Sequence, residues 1–211
     1  ALFTNTGGNN TSMGYEALKA NTTASNNTAV GHRSLYSVTT ASLNTALGYN
    51  AGSIVTGVEN ICIGGQSGAN ITSGTYNITI GGYAGGYQNS HTGQRNISIG
   101  YQAGCNVVDA TENVFLGYYA GRGVTGSNNV ALGTKTLLGA TSGTGNVAVG
   151  QDAMRQNTGS YNVVMGATAM WSAGDGTDNV IIGQGAGYAV TDGDKNTFLG
   201  RGTGNTVTTG C

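Results

Sequence analysis

The chain reads as an all-β protein, a β-solenoid of the parallel β-roll or β-helix kind, with about twelve coils of ~17 residues each. Three observations predict this. A five-residue block (Asn, then Thr/Val/Ile, a variable uncharged residue, an aliphatic residue, Gly) occurs twelve times. Successive block asparagines lie 17, 17, 16, 17, 19, 17, 16, 17, 16, 17 and 17 residues apart. Glycine supplies 39 of 211 residues, proline none, and only 8% are charged, so the chain has many turn formers and few of the charges that keep a chain unfolded. A period near 17 is too short for helix-pair repeats or propeller blades and suits one solenoid coil. The repeats occupy residues 1–211 as one repeat domain.

Each coil opens on its block asparagine: Asn10, Asn27, Asn44, Asn60, Asn77, Asn96, Asn113, Asn129, Asn146, Asn162, Asn179 and Asn196. An amide repeating once per coil predicts a ladder along the stack, each side chain bonding the next. The following residues form a short strand. Side chains alternate along a strand, so the positions one and three after the asparagine share one face. They are Thr, Ile or Val and then always aliphatic, as at Val147 and Val149, and are expected to point inward. Every strand ends on a glycine: Gly14, Gly31, Gly48, Gly64, Gly81, Gly100, Gly117, Gly133, Gly150, Gly166, Gly183 and Gly200. A corner there needs positive φ, close backbone approach, or both. A second strand is expected over the looser block that follows, as in GYEAL, GYQAG and GQDAM, and a Ser/Thr/Gly/Asn tract closes the coil.

The middle strand position is then expected to face outward. It is uncharged in all twelve copies and large in the later ones, at Phe115, Val164, Ile181 and Phe198. An uncharged outward column is a contact face, so these four residues are the expected subunit interface of a homotrimer. The opposite assignment, with this column inside, remains open at this level. Open solenoid ends add the expectation of end-to-end stacking.

The sequence offers little for chemistry. His32 and His91 lie in different coils, and no Ser/His/Asp set has a defensible spacing. Asp175/Asp178 and Asp192/Asp194 fall in polar turns, and the Asp192-Gly193-Asp194 run lacks the remaining ligands of a calcium loop. Cys62, Cys105 and Cys211 are widely spaced, without a metal-binding pattern. The reading is no enzyme, no cofactor and no metal. Eight scattered basic residues argue against nucleic acid, and no apolar run reaches the length of a membrane helix. The longest coil carries Tyr83, Tyr87, His91 and Arg95, and Trp171 lies in a later turn; such aromatic-polar loops are candidate contacts for cell-surface glycans.

The NTAVG…AL and NVFLGYYAG blocks, with NTTASNNTAVG between, resemble repeats of phage tail-fibre and related virion appendage proteins. The resemblance covers residues 5–206. It implies a homotrimeric structural shaft, extracellular on the virion surface, that contacts other virion proteins and supports host attachment. The blocks also resemble, more weakly, the SVAIG-type head repeats of trimeric autotransporter adhesins, which implies a bacterial surface adhesin as the alternative; this chain departs from that pattern in its period and fixed asparagine. A self-assembled extracellular filament and an ice-binding solenoid are further alternatives.

Overall fold

The computed structural model describes residues 4–86, 90–139, 142–172 and 174–209; Tyr87 and Cys211 lie outside them. It is a β-solenoid of twelve three-residue strands. Two compact units, Ala1–Asp109 and Ala110–Cys211, carry six strands each. The first holds β1 (Thr11–Met13), β2 (Thr28–Val30), β3 (Thr45–Leu47), β4 (Ile61–Ile63), β5 (Ile78–Ile80) and β6 (Ile97–Ile99). The second holds β7 (Val114–Leu116), β8 (Val130–Leu132), β9 (Val147–Val149), β10 (Val163–Met165), β11 (Val180–Ile182) and β12 (Thr197–Leu199).

Within each unit every strand pairs in parallel with the next one in the chain, and the block positions stay in register. Thr45 faces Ile61 and Ile61 faces Ile78; Val130 faces Val147 and Val147 faces Val163. The 19-residue interval before Asn96 leaves the rung intact, since Thr79 still faces Ser98. The extra residues are absorbed between corner glycine and next asparagine, where no strand register has to be kept.

Asparagine holds that register because it uses all its polar groups at once. Asn146 donates its backbone N–H to the Asn129 Oδ1 at 2.9 Å. Its side-chain amide donates to the same oxygen at 3.1 Å and to the Gly159 carbonyl at 3.0 Å, closing its own coil. Its Oδ1 accepts from the Asn162 N–H at 2.9 Å, and its carbonyl accepts from the Val130 N–H at 2.8 Å. The backbone-to-Oδ1 bond repeats at 2.8–3.0 Å from Asn10 to Asn96 and from Asn113 to Asn196. Aspartate lacks the donors, serine is too short, and glutamine would push the amide out of reach. These amides are buried from Asn27 to Asn179, where an unmade bond is expensive.

The corner glycines have φ between +117° and +139°, a region open to glycine alone. At Gly31, for example, a Cβ would also overlap the carbonyl of Gly48 in the next coil. The segment after the corner is not the expected second strand. It is a run of turns in which alternate residues, such as Glu16 and Leu18 or Asp152 and Met154, have positive φ. The alternation curls the backbone while each coil still bonds the next: the Met154 N–H donates to the Ala169 carbonyl at 2.9 Å. The small residues seen there in sequence reflect a tight turn rather than a flat strand.

The strand faces are opposite to the expected assignment. The middle position is the buried one, and the flanking two reach solvent. Phe115, Val164 and Ile181 are fully buried in the chain's own core and so do not form a subunit interface; Phe198, on the same side of the last strand, is partly buried. The block asparagine points inward, and by alternation so does the residue two places on. The interior is one layer thick, shared by that residue and the one six places later. Ala29, Ala131, Ala148 and Val164 accompany Leu35, Leu137, Met154 and Met170; Cys62, Thr79, Phe115 and Ile181 accompany Gly68, Gly85, Gly121 and Gly187. A Cβ at Gly121 would overlap the ring of Phe115. At Phe115 and Ile181 the larger strand side chain therefore fills space that a glycine leaves inside the coil.

Two substitutions test this packing. Phe115→Ala should cost about 3–5 kcal/mol by urea unfolding, as for other buried rings. Adding Gly121→Leu converts the coil to the Ala131/Leu137 pair and should recover most of that loss, because Leu137 already tolerates φ of +49°. Gly121→Leu alone should destabilise; independent, additive effects would contradict the shared-volume account. Asn146→Ala, which strands the Asn162 N–H and the Gly159 carbonyl, should cost roughly 3 kcal/mol in the same assay.

Candidate functional site

The most distinctive surface is the outward face of the strands, formed by the positions one and three after each asparagine. In the first unit it carries Thr11, Thr28, Thr45, Ile61, Ile78 and Ile97 beside Met13, Val30, Leu47, Ile63, Ile80 and Ile99. The second unit has the same pattern in valines, leucines, Met165 and Ile182, with Thr197 and Leu199 on β12. Met13, Leu47, Leu116 and Leu199 are 69%, 48%, 46% and 74% exposed. None of the eight basic and nine acidic residues lies in a strand. This is the face that hydropathy alone places inside, because it is the more aliphatic one.

Aromatic columns flank the sheet. Tyr15, His32 and Tyr49, each just after a corner glycine, stack at 5.3 Å between ring centroids. Gly65 and Gly82 take the next two places, and Tyr101 leans over Gly82. In the second unit Trp171 stacks on Tyr188 at 5.4 Å, with the Arg155 guanidinium 5.8 Å from the indole. Tyr83 meets Tyr101 edge to face. In the stacked columns the rings turn their faces to one another, leaving mostly edges to solvent.

The titratable groups are dispersed. Lys19 and Arg33 pair with Glu16 at 2.6 and 2.7 Å and hold its carboxyl below the usual range. Asp194 accepts from the Thr177 N–H and hydroxyl one coil earlier, which lowers its carboxyl, so this turn residue serves the stack. Among the described residues no three His, Cys, Asp or Glu side chains are grouped to hold a metal ion. Cys62 is fully buried beside Thr79, and burial pushes its thiol up to about 11. Cys105 is buried as well. No described helix is long and apolar enough to cross a membrane.

His91 is a titratable residue in a largely apolar column. In the first unit Val38, Val55, Ile71 and Val107 fill one inward corner of their coils; Asn21 takes that place in the first coil and His91 in the longest, bridged to Ile71. It is 2% exposed, and its Nδ1 has no hydrogen-bond partner. Burial lowers its pKa to about 4, only partly offset by a backbone hydrogen bond and by Asp109.

No protein-family model, curated protein or solved structure matches the chain.

The buried imidazole makes stability depend on pH. Unfolded His91 takes up a proton near pH 6.5, whereas the folded one resists until about pH 4. The unfolded state binds more protons in that window, so this contribution is intact above pH 6.5 and is lost, by about 3 kcal/mol, as pH falls to 4. Replacement by the column's own residue, His91→Val, should remove it. The difference in unfolding free energy between the two proteins should grow steadily on acidification; a difference independent of pH would show that His91 is not buried neutral.

Proposed function

We propose that the chain is the structural shaft of a homotrimeric phage tail fibre, or of a similar extracellular virion appendage that supports host attachment. The observation that supports this reading most is the use to which the repeated residues are put. In coil after coil the asparagine, corner glycine and interior pair serve only to stack one coil on the next. Stability in such a chain is a sum of neighbour contacts, so the architecture suits a spacer whose length is set by coil number. Its partners on this reading are further copies of itself and the other proteins of the particle, with cell-surface glycans as the ligands of the attached tip.

The alternative, a bacterial surface adhesin, gains some support from the exposed aromatic columns, where Tyr15, His32 and Tyr49 present polar edges to solvent. Ring edges and terminal ring faces offer a glycan hydrogen bonds and limited stacking.

Immunogold electron microscopy separates the two. Antibodies against the recombinant chain should decorate fibres projecting from virions, and the coding sequence should lie among genes for other particle components. Label confined to the bacterial envelope, with no particle decorated, would replace the shaft reading by the adhesin.

A further inference from the structure

We propose that the outward strand face of each unit docks a second copy of this chain, side by side, through the residues one and three places after the block asparagine. The proposal rests on the homomeric reading above and names the surface that carries it. Three observations select a second copy as the occupant.

The first is charge. The face has no charged side chain, while both of its edges carry charges of both signs: Glu59, Arg95 and Lys195 just before the asparagines, and Glu16, Arg33 and Lys135 just after the corner glycines. An apolar centre with a mixed polar rim is the anatomy of a protein interface, and two copies of it bring no single sign into opposition.

The second is periodicity. Successive rungs lie ~4.8 Å apart, so a partner that fills them all needs the same repeat, which another coil stack of this sequence supplies without adjustment. Leu47 lies beside Ile63 and Leu132 beside Val149 along the face, giving ridges that a second copy can interleave.

The third is area. Six rungs of three residues project roughly 300 Å² per unit, the apolar centre of the ~800 Å² that each partner contributes to a stable interface. Exposed Tyr15, Tyr49, Tyr101 and Tyr118 at the edge extend the patch.

The test is the mass of the full chain in solution, by light scattering and native mass spectrometry at micromolar concentration. Wild type should be a multimer. Leu47→Lys, Leu116→Lys and Met165→Lys together should yield a monomer with an unchanged circular dichroism spectrum, because these side chains leave the coil rather than enter it. Thr40→Lys with Gln156→Lys, at exposed positions away from the strands, should remain a multimer. If the triple lysine variant fails to fold, the triple threonine variant at the same positions, which copies the Thr11/Thr28/Thr45 column, should fold and associate roughly tenfold or more weakly. A monomeric wild type overturns the docking surface and the homomeric reading together, and thermal hysteresis in that monomer would assign the face to ice. A multimer that survives folded variants at Leu47, Leu116 and Met165 overturns the docking surface alone.

Discussion

The structure depends first on the hydrogen bonds of one side chain. The block asparagines tie their own coil to its neighbours; Asn146 joins its own coil, the coil before it and the coil after it through six bonds. The carboxamide suits this task because it donates and accepts within about one peptide's width of the backbone, so it acts as an extra peptide unit on the inside of the strand. Repetition converts a local preference into a global register. The three strand residues are then locked in step with their neighbours, and length variation is confined to the far side of the coil, as in the 19-residue interval before Asn96.

The ladder sets the rest of the packing. An inward amide makes the residue two places on an interior residue, leaving room for one further side chain from the turn segment. A core this thin gains little from size alone. It gains from complementarity, which is why Phe115 requires Gly121 and Ala131 accompanies Leu137. Leucine and methionine accept the left-handed region at Leu35 and Met154, a cost of about 1 kcal/mol or more each, because burial of their side chains offsets it. His91, a titratable residue in the largely apolar corner column, is buried neutral, which places one source of acid sensitivity in the longest coil.

With interior and polar backbone committed to stacking, the chemistry left over lies on the surface. It consists of an uncharged sheet face, edges of mixed charge and short aromatic columns. These are resources for association. On the proposed reading, a face that would otherwise aggregate becomes specific because its occupant repeats at the same interval, and that coupling of period to partner links the proposed shaft to the proposed docking surface.

The sequence alone determined the number of coils, their boundaries, the parallel stacking and the positions of amide and corner glycine, because each is a consequence of period and a one-residue motif. Tertiary structure decided which side of the strand is inside. Alternation tells which residues share a face, but the direction of that face depends on whether the asparagine reaches its partners from within. Val147 and Val149, the more aliphatic pair, therefore lie outward, and Ala148 lies in the core. Ala148 is small because Met154 fills the coil beside it, a pairing across a turn that hydropathy along the chain does not register. The second strand expected after each corner became a curl for a related reason. Positive φ at Asp152 and Met154 follows from closing a one-layer coil, whereas local propensity at those residues favours the right-handed side.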